Sequence, residues 1–465
     1  MRNISRPVNR SPPEILSYIA QFLIKDGDED AISVVPLTHV CRYWRESIIS
    51  TPDIWTLISD KNEDMTAACL QRAKTAPLKI TLHMPLRSSF PNIFASYLQN
   101  TRTLVVHSIS TIGELTSVFP NFPQSVPTLR SLELIRLQGT DWDRSIDPFE
   151  SFIPPLECLR LTGVPLYASL HGLGTLTEFS FSESRFNLHL DTLLSLLEGN
   201  HSLERVTLNI YFSNLSLLES QRKTAIKNRL RYLSINCRDK RDAQALISTI
   251  PLQRGAGLHI HLSDEHSTLS DFLPEISATH LLHPPSPTFF QLGHGPLTKH
   301  IILDGPNGKL SFYGIHLREI LFADAAVLPL ANIREVRLCY RNGTTETTRE
   351  PLAFYPSYFP ALETLTVDCN ADVLDILSPL LSNSPPSPSL KTIGFLNCDL
   401  SEDSMEELTR FASERQNILT STSLHRIQIV HSDGVFPSAA SIRRLRKYVK
   451  VVEVRIEDEF SRDLT

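Results

Sequence analysis

One short frame, Leu-x-x-Leu-x-Leu with other apolar residues allowed at its anchors, returns about a dozen times after residue 100 and narrows what this chain can fold into. It reads Leu129-Arg130-Ser131-Leu132-Glu133-Leu134 and again Leu156-Glu157-Cys158-Leu159-Arg160-Leu161. The same anchors recur at Leu176, Phe179, Phe181; at Leu203, Val206, Leu208; and at Leu230, Leu233, Ile235. Gly257, Ile260, Leu262 fit with a glycine lead. Ile333, Val336, Leu338 and Leu362, Leu365, Val367 follow, then Leu390, Ile393, Phe395. Leu424, Ile427, Ile429 and Val451, Val454, Ile456 close the series, and Thr101, Leu104, Val106 form a degenerate early copy. From position 101 to 257 the steps are 28, 27, 20, 27, 27 and 27 residues. A gap of 76 leads to Ile333, with one poor copy expected near Leu297–Ile302; steps of 29, 28, 34 and 27 complete the run.

Within each frame apolar residues alternate, so each predicts a short strand with one buried face. Asp191–Leu197 and Ser404–Phe411, between frames, carry helical patterns. A strand–helix unit cannot bury its own apolar face, so neighbours must stack. The period resembles the leucine-rich repeat. Two copies extend into the fuller frame, with Cys398 and Asn370 at the place where that family turns its backbone. The resemblance implies an α/β fold: an irregular solenoid with a curved, mostly parallel sheet and outer helices. An ordinary α/β globule with parallel strands is the competing architecture. Pro/Ser-rich stretches at His283–Pro287 and Ser384–Ser389 predict loops.

The first sixty residues have another rhythm. Ser11-Pro12-Pro13-Glu14 predicts a helix start, Ser11 capping and Pro12 at the first helical position. Ile15, Leu16, Ile19, Phe22 and Leu23 place an apolar stripe on that helix. Lys25–Asp30 predicts a solvated acidic loop, and a short helix is expected over Ala31–Val35. Leu37, Val40, Cys41, Trp44 and Ile48 mark a further amphipathic helix, stopped near Pro52.

Three blocks, Pro13-Glu14-Ile15-Leu16, Val40-Cys41-Arg42-Tyr43-Trp44-Arg45 and Pro52-Asp53-Ile54-Trp55, resemble the F-box pattern in order and spacing. That family carries Leu directly before the first Pro, where this chain has Ser11. Joined to divergent leucine-rich-like repeats, the module resembles the large fungal F-box-like family. The resemblance implies docking on a Skp-type adaptor of a cullin–RING ubiquitin ligase. The implied adaptor contacts are Pro13, Ile15, Leu16, Ile19, Leu23, Val40, Cys41, Trp44, Pro52 and Trp55. Burying five such side chains is worth roughly 8–15 kcal/mol gross, against roughly 4–15 kcal/mol for association.

The expected organisation is a polar N-terminus over 1–10 and a helical module over 11–59. A connecting helix and first degenerate strand follow over 60–100, then the repeat region over 101–465 with an irregular insert about 263–332. Hydrophobic residues make up 41% and charged residues 21%, a globular composition. A net charge of -6 disfavours a nucleic-acid binder, which needs a basic surface. No apolar run reaches 18 residues, and Met1–Arg10 is polar, so neither a membrane span nor a secretory signal is expected. Seven cysteines without a CxxC pair point to reduced thiols and a cytoplasmic or nuclear protein.

No phosphate loop, HExxH or GxSxG motif occurs, so no enzyme activity, metal or cofactor is expected. His259 and His261 share a strand face, but Ile260 and Leu262 take the inward positions, which leaves the histidines on the surface. The basic run Arg443, Arg444, Arg446, Lys447 and Lys450 reads as one charged face of a terminal helix. The expected function is substrate recognition for an SCF-type ligase, with an unknown protein substrate held by the array. Its expected readers stand between the apolar anchors: Glu133, Arg160, Thr207, Ser234, His259, His261, Arg337, Thr366 and Gln428. A non-ligase interaction scaffold whose helices merely cap the array is the alternative.

Overall fold

The computed structural model describes residues 11–24, 31–86, 94, 96–111, 114, 126–137, 155–165, 173–183, 190–210, 230–237, 240–250, 252–253, 255–262, 289–294, 299–305, 308–313, 330–340, 359–369, 389–398, 400–418, 424–431 and 437–456. The expected N-terminus over 1–10, the acidic loop Lys25–Asp30 and the loop His283–Pro287 lie outside these residues, as does all but the last residue of Ser384–Ser389. The chain is mixed α/β and divides into two compact units, Met1–Arg229 and Leu230–Thr465. No helix among the described residues is long and apolar enough to cross a membrane.

The first unit begins with helix α1 (Pro13–Leu23). Its cap position falls on Pro12, not Ser11, and no side chain caps it. The Pro12 carbonyl accepts the Ile15 and Leu16 amides at 3.0 and 3.3 Å, which starts the helix one residue later than expected. Ser11 instead offers its carbonyl to the Tyr43 hydroxyl at 2.7 Å. The expected helix at Ala31–Val35 is a 3-10 helix over Ile32–His39, with Pro36 inside it. Extended Cys41 precedes α2 (Arg42–Ile49), so Leu37 and Val40 belong to the 3-10 segment and its end, not to α2. A second 3-10 turn, Pro52–Trp55, leads into β1 (Leu57–Ser59). Asn62 caps α3 (Glu63–Ala73), its Oδ1 accepting from the Met65 amide at 3.0 Å.

Six strands follow: β2 (Leu78–His83), β3 (Thr101–Ile109), β4 (Ser131–Arg136), β5 (Cys158–Thr162), β6 (Glu178–Glu183) and β7 (Arg205–Ile210). From β1 to β7 each strand pairs in parallel with the next in sequence. Register aligns the anchors into two buried ladders. One runs Ile80, Leu104, Leu132, Leu159, Phe179, Val206; the other Leu82, Val106, Leu134, Leu161, Phe181, Leu208. Helix α4 (Leu190–Gly199) adds buried Leu193, Leu196 and Leu197, matching its expected position.

A shared turn sets the register. The first anchor donates its amide to the carbonyl three residues earlier: Leu129 to Val126, Leu176 to Leu173, Leu203 to Asn200. The carbonyl after the anchor then receives two successive amides from the next copy, as Arg130 does from Glu157 and Cys158. Glu157 does so from Thr177 and Glu178, and Thr177 from Glu204 and Arg205. Ordinary donors are thereby satisfied at each step, and neighbouring copies are locked in phase.

The second unit holds β8 (Tyr232–Cys237), α5 (Lys240–Thr249), β9 (Ala256–Leu262), β10 (Phe289–His294), β11 (Lys299–Gly305), β12 (Gly308–Tyr313) and β13 (Glu335–Tyr340). Then come β14 (Thr364–Cys369), β15 (Thr392–Leu396), α6 (Glu402–Ile418), β16 (Arg426–His431), α7 (Ala439–Leu445) and β17 (Val451–Ile456). Helix α6 covers the expected Ser404–Phe411 segment. Parallel pairing joins β8 to β9, and β13 through β17 in chain order. Between them lies the meander β12-β11-β10, whose outer strands pair in parallel with β9 and β13. The poor copy expected near Leu297–Ile302 is β11, and it runs antiparallel to both neighbours. The long gap is therefore partly filled by a hairpin-like insertion that continues the sheet.

Two frames are corrected by register. Leu233 and Ile235 face Leu258 and Ile260, so that copy starts at Gly255, at φ 86°. Only glycine takes such a backbone readily, which explains its lead position. Ile427 and Ile429 face Val452 and Val454, which moves the last copy's first anchor to buried Val449.

Candidate functional site

Helix α1 is apolar on two sides. Leu16 and Ala20, one turn apart, are fully buried. Ile15, Tyr18, Ile19, Phe22 and Leu23 occupy i, i+3, i+4, i+7 and i+8 and remain exposed, Phe22 by 69%. That spacing is the stripe a surface helix normally turns inward. Here the inward side is taken by Leu16, and the stripe faces out. The Tyr18 and Phe22 rings meet edge to face at 4.6 Å, giving the stripe a fixed aromatic ridge. Ile32 and Val40 of the neighbouring 3-10 segment are exposed as well.

The expected adaptor contacts therefore divide. Pro13, Ile15, Ile19, Leu23 and Val40 are exposed, while Cys41 and Pro52 are half-buried. Leu16, Trp44 and Trp55 are buried in the chain's own core. The Trp55 ring nitrogen donates to the Ile48 carbonyl at 3.0 Å, and the Arg72 guanidinium lies 4.3 Å over its ring. Tyr18, Phe22 and Ile32 replace them as available surface. The i+3/i+4 spacing from Ile15 identifies Tyr18 and Phe22, whereas Ile32 has no such signal.

The second surface is the sheet face opposite the anchors. Register brings Glu133, Arg160, Ser180 and Thr207 into one row of the first unit. In the second unit Ser234 stands beside His259, and His261 beside Asn236. Arg337, Thr366, Gly394 and Gln428 form another row. Every predicted reader is at least partly exposed, but Ser180 and Gly394, which complete the rows, were not among them. Gly394 is buried beside Thr366, whose side chain a Cβ there would meet at 3.4 Å.

Charges on this face are mostly tied to one another. Arg160 lies 2.8 Å from Glu178 and 3.8 Å from Glu133, and the Glu178 hydrogen bond raises its pKa. Burial, then Glu178, pushes the Cys158 thiol up. Arg426 holds Glu453 at 2.5 Å and lowers its pKa; Arg455 reaches the same carboxylate at 3.3 Å. Arg337 approaches buried Asp368 at 3.5 Å. His261 Nδ1 donates to Asn236 Oδ1 at 2.9 Å, and burial lowers the pKa of the ring. The His259 ring packs on Tyr232 at 4.8 Å. Exposed ion pairs such as Arg160 with Glu133 add little to stability, so a partner can displace them at low cost.

Within the basic run, Arg443 and Arg444 lie on α7 and Arg446, Lys447 and Lys450 just beyond, all exposed, with Arg444 3.6 Å from Glu402. Among the described residues no group of three or more His, Cys, Asp or Glu side chains converges as metal ligands would. No protein-family model matches the chain, and no curated protein matches it in sequence.

Proposed function

We propose that this chain is a substrate-recruiting adaptor of an SCF-type cullin–RING ubiquitin ligase. Its N-terminal helices act as an F-box on a Skp-type adaptor, and its strands form an irregular leucine-rich-type solenoid that holds a protein substrate. The carrying observation is the outward stripe of α1, five apolar side chains at helical spacing that no described residue covers. A helix that is apolar on both sides belongs in an interior. Covering these half-exposed side chains yields roughly 4–8 kcal/mol gross, so the rest of the contact must come from the adjoining 3-10 segment. The chain performs no chemistry in this reading. It raises the effective concentration of a target lysine near the ligase's charged enzyme.

The test is retention of the full-length protein on an immobilised Skp-type adaptor. Wild type is expected to bind, and the double variant Ile15→Asp/Phe22→Asp to lose at least tenfold. Both positions are exposed, so circular dichroism should stay unchanged. No retention of wild type, or equal retention of the variant, sinks the reading. Trp44→Ala and Trp55→Ala are poor probes, since they unpack the module.

A second reading, a non-ligase scaffold with a helical cap, draws on one observation. The helical segment runs straight into β1, which pairs with β2, and Trp55 is packed under Arg72 of α3. Co-purification of a different partner by the α1 stripe, with no adaptor present, would favour it.

A further inference from the structure

At the leading ends of β2, β3 and β4, within the first unit, an open cleft of about 450 Å³ is lined by Thr75, Pro77, Gln99, Asn100, Arg102, Thr128 and Arg130. Its walls are three successive turn-to-strand connections, so the periodicity of the fold builds it. Arg102 and Arg130 occupy the same place in consecutive copies, and the Arg130 amide donates to the Arg102 carbonyl at 2.8 Å. Adjacent strands lie about 4.8 Å apart, which sets two guanidinium stems side by side. Thr128 fixes the wall between them, its hydroxyl donating to the Gln99 carbonyl at 2.7 Å and approaching the Thr101 carbonyl at 3.0 Å.

The two arginines differ in how they are held. Arg130 is half-buried and anchored, Nη1 donating to the Pro155 carbonyl at 3.0 Å with Glu157 3.7 Å from Nε. Arg102 is exposed and forms no ion pair among the described residues. Among the described residues no carboxylate lines the cleft. Elsewhere in this unit an arginine on the sheet is bracketed by glutamates, as Arg160 is by Glu133 and Glu178. Here Arg102 and Arg130 share a concavity with side-chain amides, and Glu157, outside that lining, approaches Arg130 alone. Guanidinium forks beside amide donors match the oxygens of a tetrahedral oxyanion.

We propose that this cleft is a binding site for a phosphate monoester. A dianion offsets both arginines, and its oxygens exceed what one carboxylate presents. The site suits a single phosphoryl group and not a nucleic-acid strand. Among the described residues its lining has no aromatic ring on which bases would stack, and Arg160, farther along the same sheet, is already paired with Glu178. The assignment stands without the ligase reading.

Calorimetric titration of the full-length protein at low ionic strength tests it. The probes are inorganic phosphate, a phosphoserine peptide, the same peptide with Glu for phosphoserine, and a single-stranded RNA oligomer. Inorganic phosphate is expected to bind, weaken with salt, and weaken at least tenfold in Arg102→Gln. The phosphopeptide should exceed the Glu peptide by tenfold or more. Tighter binding of phosphopeptide than of phosphate identifies a protein-borne source; equal binding identifies a small phosphorylated ligand. Failure of phosphate to bind, unchanged binding in Arg102→Gln, equal binding of the Glu peptide, or stronger binding of RNA overturns the proposal. Arg102 is exposed, so the variant should melt with wild type, and unchanged circular dichroism gives an independent check of folding.

Discussion

Trp55 and Phe22 are both large aromatics in the first sixty residues, and they meet opposite fates. Trp55 is fully buried, bonded to Ile48 and covered by Arg72, whereas Phe22 is 69% exposed. Composition cannot separate them; only the position of each ring on its element does. The same holds for charge. Glu453 is drawn to Arg426, first through a hydrogen bond and then through its charge, and its pKa falls below the ordinary carboxylate range. A carboxylate with a depressed folded pKa contributes stability above its unfolded pKa and loses it as pH falls through the folded value. Thermal melts of wild type and Glu453→Gln should therefore differ at neutral pH and converge in acid, below the ordinary carboxylate range. A gap that persists unchanged in acid would show that Arg426 does not supply the effect.

Strands in this protein carry two unequal faces. Leu159 is fully buried between Leu132 and Phe179, while Thr207 stands partly exposed on the opposite face of β7. Leu159→Ala should cost about 2–5 kcal/mol in chemical denaturation, and Thr207→Ala no more than about 0.5 kcal/mol. A large loss at Thr207 would mean that its face is packed rather than open. Helix α1 has two apolar faces, which period-based reading detects only as one broad stripe. Its inner residues were legible as apolar but not as inner, because Leu16 and Ile15 are chemically alike. Likewise β11 reads as a weak frame copy, yet its direction is antiparallel. Strand direction depends on which neighbours it finds, not on its own pattern.

At the scale of the whole molecule, the helical segment is built into the first unit. Strand β1 pairs with β2, and Trp55 packs under α3. Removing residues 1–59 strips that strand and ring away, so the shortened chain should melt lower than wild type. The triple variant Ile15→Ser/Ile19→Ser/Phe22→Ser should melt with wild type, since those side chains are exposed. Equal melting of the truncated chain would show that the helices are a detachable appendage. The sequence by itself determined the strands of the recurring frame, their spacing, which residues face inward along most of them, and the helices α4 and α6, but not β1, β10 or β12. These follow from alternation and helical period, which are local. It also marked the α1 stripe as apolar. Tertiary structure alone decided the frame shifts at Gly255 and Val449, the meander between β9 and β13, and the burial of Leu16, Trp44 and Trp55. It alone brought Arg102 and Arg130 to one cleft, 28 residues apart in the chain. Each of these depends on which copies become neighbours, a choice made by pairing and packing across the sheet rather than by any one stretch of residues.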